Sequence, residues 1–571
     1  MRTIYTYGLF LVLFTFVVAP LLGPEYRLSV PSAEATEQLN DSYGDRLGTV
    51  RFPLSCSDAA NQLVERGGAL LHHMTYNGAR ASFAAATQQD PECAMGYWGQ
   101  AMTYIHPLWS DKPSRGDFET GRALVAEARA RGQKTDRENA YIAAVSSYYE
   151  AGWTKDEAAN LRNFEAGWEN AYRRFPEDIE AASFYALAHL ATASPGDKIY
   201  QKQKKAGAIA ETILVQVSDH PGAHHYAIHA YDYPLLAYKA LNIANNYGEI
   251  APDIPHALHM PTHIFTRVGL WDESIIFNKR SAEAALKHPA GNKISLHYPH
   301  ALDYLVYAYL QQADDDSAKQ VMDELLILEG SFQTHIAASY SFTAIPARYA
   351  LERQQWADAA ALDPGLPANY PIGKFPAMEA ITYFARALGA ARSGNVAMAK
   401  QAYEKLVALQ GKAEKTSAYW ANQIEIQRLS AKAWITYQEG REKEALGVMQ
   451  QAAELESLTE KHPVTPGEIL PARELLADML LAMGRYKDAQ AEYESVLRRS
   501  ANRFNSLYGA GVAAEMVKNK EEAVWYFKKL METTGNVETD RKQVQHAKLY
   551  LTRNQMTSGG NTYRSAEDMG S

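Results

Sequence analysis

A pattern of small residues returns along this chain at a step of 34 residues, and few folds accommodate it. Ala477, Ala489, Tyr493 and Val496 come back 34 residues later as Gly511, Ala523, Phe527 and Leu530. Near the start, Gly67, Ala79, Phe83, Ala86 and Pro91 keep the same spacing. Looser copies are Ala387, Ala399, Tyr403 and Leu406, then Ala433, Ala445, Met449 and Ala452, with Ala347 and Ala359 as a further pair. Intervals of three and four place the last three members of a set on one helix face. The small residue twelve positions earlier lets a preceding helix lie close against that face. A two-helix unit of this kind cannot bury its apolar side alone, so its repetition predicts a solenoid in which neighbours cover one another. Longer intervals mark longer helices or inserted loops, such as His462-Pro463-Val464-Thr465-Pro466-Gly467.

The period and pattern resemble the tetratricopeptide repeat (TPR), and the expected fold class is all-α, a TPR-type α-solenoid of stacked helix hairpins. Ala-rich segments and the scarcity of Val/Ile/Thr runs agree with helix over sheet. Hydrophobic residues at 47% and charged residues at 22% suit a chain that buries a core. A net charge of -9 without a basic stripe excludes nucleic acid as the expected partner. The 35 tyrosines are read as filling the seams between helices.

Arg2 followed by an apolar run from Ile4 to Leu22 has the form of an export signal. Ala33-Glu34-Ala35 has the small-x-small form of a cleavage site but lies well beyond the run. The run is also long enough to span a bilayer, so an uncleaved anchor is the alternative and the only expected tie to a membrane. Either way the bulk of the chain is expected outside the cytoplasm, periplasmic or secreted. In such a compartment Cys56 and Cys93 are expected to form a disulfide, with two buried thiols as the other reading. The expected layout is residues 1–35 as signal or anchor and 36–57 as an irregular lead-in. Residues 58–380 form an N-terminal and central array, 381–555 a C-terminal array, and 556–571 a polar, Gly-rich, disordered tail. Thr135-Asp136-Arg137-Glu138 reads as a capped helix start.

Chemistry concentrates in the middle. Ala240, Ala244, Tyr247 and Pro252 fit the second-helix pattern, and Ser274, Asn278 and Ser281 repeat it 34 residues on. That register makes His225 equivalent to His259 and His229 equivalent to His263. Each pair is spaced i, i+4, so both imidazoles leave one face of a first helix. Counted from the start of each repeat, His256 stands at position 2, His225 and His259 at 5, His229 and His263 at 9, and Asp232 at 12. A third helix carries His300, Asp303 and Tyr307 at positions 2, 5 and 9. Resemblance to TPR proteins implies that these positions line a concave groove. Imidazole and carboxylate donors in this number suit zinc, copper, iron or nickel. The expected ligands are His225, His229, His259 and His263, with Asp232, His256, His300 and Asp303 as additional ones. Pro261 either kinks the helix bearing His259 and His263 or marks its start, and the second case would take His256 and His259 off the shared face. His72, His73 and His106 are read as packing or groove polar groups, and Trp98, Trp109, Trp153 and Trp168 as core. Phosphate-binding glycine loops, nucleophile elbows and His-Glu-x-x-His motifs are missing from the sequence.

Asp90-Pro91-Glu92-Cys93-Ala94-Met95-Gly96-Tyr97-Trp98-Gly99 and His259-Met260-Pro261-Thr262-His263-Ile264-Phe265 look like signatures of a group of bacterial TPR-containing proteins. So do His220-Pro221-Gly222-Ala223 and Phe384-Ala385-Arg386, and the resemblance runs from Phe52 to near residue 410. It implies the fold, export and the importance of the four central histidines, and it implies no reaction. The functional expectation is therefore an exported repeat protein whose His-lined groove takes a protein, peptide or small-molecule ligand with a metal ion. A metal-free interaction scaffold and a metal-dependent hydrolase or oxidoreductase are the alternatives.

Overall fold

Eight helix hairpins turn through a left-handed residue placed five positions before the small residue of the second helix. Met74 precedes Ala79, Gly269 precedes Ser274, Ala313 precedes Ala318 and Gln354 precedes Ala359 in this way. Gly394, Gly440, Gly484 and Lys518 stand in the same relation to Ala399, Ala445, Ala489 and Ala523. Their φ angles run from 55° to 85°, the conformation that ends a helix and frees the chain to reverse. All eight small residues are fully buried, at 0% exposure. The hairpin carrying His225 and His229 is built otherwise, with a 3-10 turn over Ala237–Ala240.

The computed structural model describes residues 43–555, apart from 110–111, 154–155, 195, 329, 366, 368–369 and 536. The export run and the Gly-rich tail lie outside the described residues. Among the described residues there are helices from Asp58–His72 to Lys542–Gln555 and no β-strand, only two isolated bridges. None of these helices is long and apolar enough to cross a membrane. The fold is an all-α TPR-type solenoid. Residues 43–57 run without regular structure, and Thr135 and Glu138 close a reciprocal capping box. The helix Pro376–Arg392 runs straight through the division expected between residues 380 and 381.

Close packing of the hairpins depends on the glycines of the first helices. A Cβ on Gly67 would fall 2.8 Å from the Phe83 ring, and one on Gly511 would fall 2.6 Å from the Phe527 ring. Gly511→Val should therefore destabilise the C-terminal repeats by about 1–3 kcal/mol. An unchanged denaturation midpoint would contradict this packing.

The lead-in is stitched to the inner side of the array. Thr49 bonds Asp219, the Arg51 amide donates to Glu180, and Ser55 bonds Glu138. Cys56, at the end of this segment, is joined to Cys93 by a disulfide, with Cα atoms 4.8 Å apart. His73 donates from Nε2 to the Leu47 carbonyl and accepts at Nδ1 from Tyr247. Burial pushes its pKa down to about 3. Because this folded value lies below the unfolded one, near 6.5, the stability it contributes is full above pH 6.5. It falls as the pH drops toward 3, by about 1.4 kcal/mol per unit. Denaturant unfolding at pH 7 and pH 5 should show that loss, and His73→Gln should reduce it; a flat profile would contradict the assignment.

The solenoid curls until its C-terminal repeats touch its central ones. Trp271 donates to the Asn502 carbonyl, and Asn502 donates to the Gly269 carbonyl, each at 3.2 Å. Arg541 pairs with Asp315, and the Phe504 amide donates to Gln311. The consequence for the centre is large. Residues 458–471, inserted between Glu442–Ser457 and Ala472–Ala482, lie over the histidine helices. Tyr304 donates to the Thr465 carbonyl at 3.0 Å, while Arg348 donates to the Gly467 and Glu468 carbonyls at 2.7 Å. The expected open groove is therefore a closed interior at this point, because the chain's own insertion fills it.

Candidate metal centre

Pro221–Tyr231, Pro255–His259, Pro261–Val268 and His297–Gln311 bring the central histidines together. Pro261 starts its helix, yet Met260 keeps helical torsions (φ -53°, ψ -39°), so the two short helices stay in phase. His256, His259 and His263 consequently still share a face, and all three are buried.

The tautomers of His259 and His263 follow from their partners. Asn278 donates from Nδ2 to the Ser274 carbonyl at 2.8 Å, which turns its Oδ1 toward His259. His259 Nδ1 must then donate to that oxygen, 2.8 Å away, leaving the lone pair on Nε2. His263 Nδ1 donates to Asp232 Oδ2 at 2.9 Å, which also leaves a lone pair on Nε2. These two Nε2 atoms face each other at 3.1 Å.

Two lone pairs at that distance repel unless a cation lies between them. A proton is a poor occupant. Burial, and then the neighbouring His263, hold His259 well below the ordinary imidazole range; burial lowers His263 too, against the pull of Asp232. Asp232 needs no third cation, since Arg267 and Lys461 each reach it at 2.8 Å. Burial would raise this carboxyl, but Lys461 and Arg267 hold it well below its usual value. A metal ion fits instead: two metal–nitrogen bonds of about 2.0–2.1 Å would span this gap at an angle of roughly 100°. His300 completes the set, with its ring 4.3 Å from that of His259 and its Nδ1 buried without a hydrogen-bond partner. One ligand atom from each of His259, His263 and His300 lies within 4.8 Å of the other two. These residues could hold a transition metal.

The expected ligands therefore do not act as one set of four. His225 and His229 gather with His256, and His259 and His263 with His300. Asp232 orients His263 by hydrogen bonding rather than joining either group. Asp303 is in neither: fully buried, it faces Arg348 at 3.4 Å, and burial raises its pKa to about 6 despite that guanidinium. Its pairing helps hold the arginine that pins Gly467 and Glu468.

A third cluster shows what a satisfied arrangement looks like. His72 donates from Nε2 to Glu180 at 2.9 Å and accepts at Nδ1 from Tyr226. His220 accepts at Nδ1 from the Ala223 amide and donates from Nε2 to Glu180. Burial would raise Glu180, yet His220 and His72 keep it below the usual carboxylate range. Every imidazole nitrogen is paired, so this cluster is a structural network. His106 stacks on Tyr76 with ring centroids 4.0 Å apart. Trp98 and Trp168 are core, whereas Trp153 is 38% exposed because it lies past the end of Asp136–Glu150.

Between the histidines and the insertion lies a small cavity of about 30 Å³, lined by Trp109, His229, His256, His263, His300 and His462, among others. Trp109 was read as core but forms a wall of this cavity. Asn278 and Lys461 were not singled out as part of the site. Asn278 occupies the repeat position held by Phe83, Tyr493 and Phe527 elsewhere, and a buried amide there was a usable signal.

Among solved structures, the chain is similar to the TPR domain of P58(IPK), at 14% identity over 81% of this chain and 99% of that one, with a TM-score of 0.20. Cut9–Hcn1 of the APC/C gives 12% identity over 87% and 96%, with a TM-score of 0.27. Yeast Tom70 gives 10% over 88% and 97%, with a TM-score of 0.26. Scores this low leave the fold to be read from the chain's own helices and turn register. No protein-family model matches the chain, and no curated relative matches it either.

Proposed function

We propose that this is an extracytoplasmic TPR-type protein that binds a transition-metal ion in its closed interior, through Nε2 of His259 and His263 with His300 as third ligand. The observation that carries the reading is the 3.1 Å Nε2–Nε2 approach of two imidazoles whose Nδ1 atoms are both committed as donors. Neutral imidazoles suit zinc, copper, iron or nickel. Three protein ligands leave a coordination position free toward the cavity, as catalytic rather than structural sites do. A hydrolase or oxidoreductase would use that position to polarise or activate a small bound molecule. Export rests on Arg2 and the apolar run from Ile4 to Leu22.

The scaffold reading draws on the concave surfaces that helical repeats offer to partners. Around the histidines that surface is taken by residues 461–468, so a protein partner would engage the array elsewhere. Metal analysis separates the two. Protein purified without chelator should retain transition metal near stoichiometrically, and His259→Ala with His263→Ala should lose the ion assigned to His259, His263 and His300 while keeping its helical dichroism. A wild-type chain that neither carries nor takes up zinc, copper, iron or nickel would leave the scaffold reading in front.

A further inference from the structure

The two histidine triads are the same arrangement displaced by one repeat. His259 and His263 stand at positions 5 and 9 of one repeat and are completed by His300 at position 2 of the next. His225 and His229 stand at positions 5 and 9 of the preceding repeat and are completed by His256 at position 2. Resting on the metal reading above, we infer that the second triad holds a second ion and that the centre is dinuclear.

One of its donors, His225, is fixed in the same way. His225 Nδ1 donates to the His72 carbonyl at 2.7 Å, so its lone pair is on Nε2, 3.1 Å from His256 Nε2. His229 lies one turn along the helix with its ring 4.9 Å from that of His225, and its Nε2 is buried without a hydrogen-bond partner. Burial pushes the His225 pKa down to about 3 and holds His229 and His256 well below the ordinary range. Without an ion, a hydrogen bond from His256 to His225 leaves both His229 Nε2 and His256 Nδ1 unsatisfied; an ion on the three Nε2 atoms satisfies His229. The cluster of His72, Glu180 and His220 has the same ligand count, but its hydrogen bonds are complete. Ligand count alone therefore does not select the two triads; their unpaired nitrogens do.

One cavity serves both positions. Its wall includes His229 and His256 from one triad and His263 and His300 from the other. The rings of His229 and His263 are 6.1 Å apart. Among the described residues, the one carboxylate bonded to either triad is Asp232, which Arg267 and Lys461 already neutralise. Two cations in a donor set without net negative charge would draw a small anion, such as hydroxide or an oxyanion, into the shared cavity.

Copper(II) is a suitable probe. Full-length exported chain, stripped and reloaded, should bind two copper ions, with the paramagnetic resonance signal attenuated by coupling between neighbouring spins. His256→Ala should bind one ion and show the full signal of an isolated copper. His229→Gln should do the same, which keeps the test decisive should one variant misfold. Saturation at one ion in the wild type, or two ions with unattenuated signals, would overturn the dinuclear centre. No bound copper, together with no bound zinc, iron or nickel, would overturn the metal reading beneath it.

Discussion

Arg503→Met should destabilise the chain by about 3–5 kcal/mol, the largest effect expected of a single substitution far from the histidines. The guanidinium is fully buried and reaches Glu474 at 2.7 and 2.8 Å and Glu352 at 2.8 and 3.0 Å. It also meets Tyr307 at 3.3 Å. Its partners come from the helix Ile336–Glu352, the helix Ala472–Ala482 and the central helix His297–Gln311. Removing the cation strands two carboxylates in a medium that cannot solvate them, and Ser506 bonded to Glu474 does not supply the missing charge. Replacing Arg503, Glu352 and Glu474 together with apolar residues should recover most of the loss, because the cost lies in the unpaired charges. A single-mutant cost below about 1 kcal/mol would show that the C-terminal repeats are not tied to the centre in this way.

Asp232→Asn should weaken metal binding by about 10–100-fold and also lower stability. The carboxylate fixes the donor side of His263 and is the shared partner of Arg267 and Lys461. An amide can still accept from His263 Nδ1, but it offers no charge, so two buried cations lose their counter-ion. Lys461→Met should cost less affinity, since Arg267 would continue to neutralise Asp232. Wild-type affinity in Asp232→Asn, measured by competition with a chromogenic chelator, would show that the charge of Asp232 does not support the metal site.

The repeat was legible because helix packing leaves a residue-level imprint. Ala79, Ala399, Ala489 and Ala523 are small where two helices touch, and Phe83 and Phe527 are large where Gly67 and Gly511 make room. The i, i+4 histidine pairs were legible for the same reason, since helical phase alone places them. Their division into triads was not. It depends on which histidine of the next repeat swings into reach, and that requires the stacking geometry. The closing of the groove was hidden as well. Between Ala452 and Ala477 the repeat register lapses, and nothing in a loop sequence says which surface it will cover. Asp303 misled because it occupies the repeat position of His259, while Arg348, the residue that claims it, lies in another helix.

X-ray absorption at the metal edge tests the central claim most directly. Protein carrying its retained or reconstituted ions should show imidazole scattering from nitrogens at about 2.0–2.1 Å, and, with the other triad disabled by His256→Ala, the added His259→Ala and His263→Ala should abolish it. A shell of oxygen ligands alone, or imidazole scattering that survives the triple substitution, would contradict the assignment of the ion to His259 and His263.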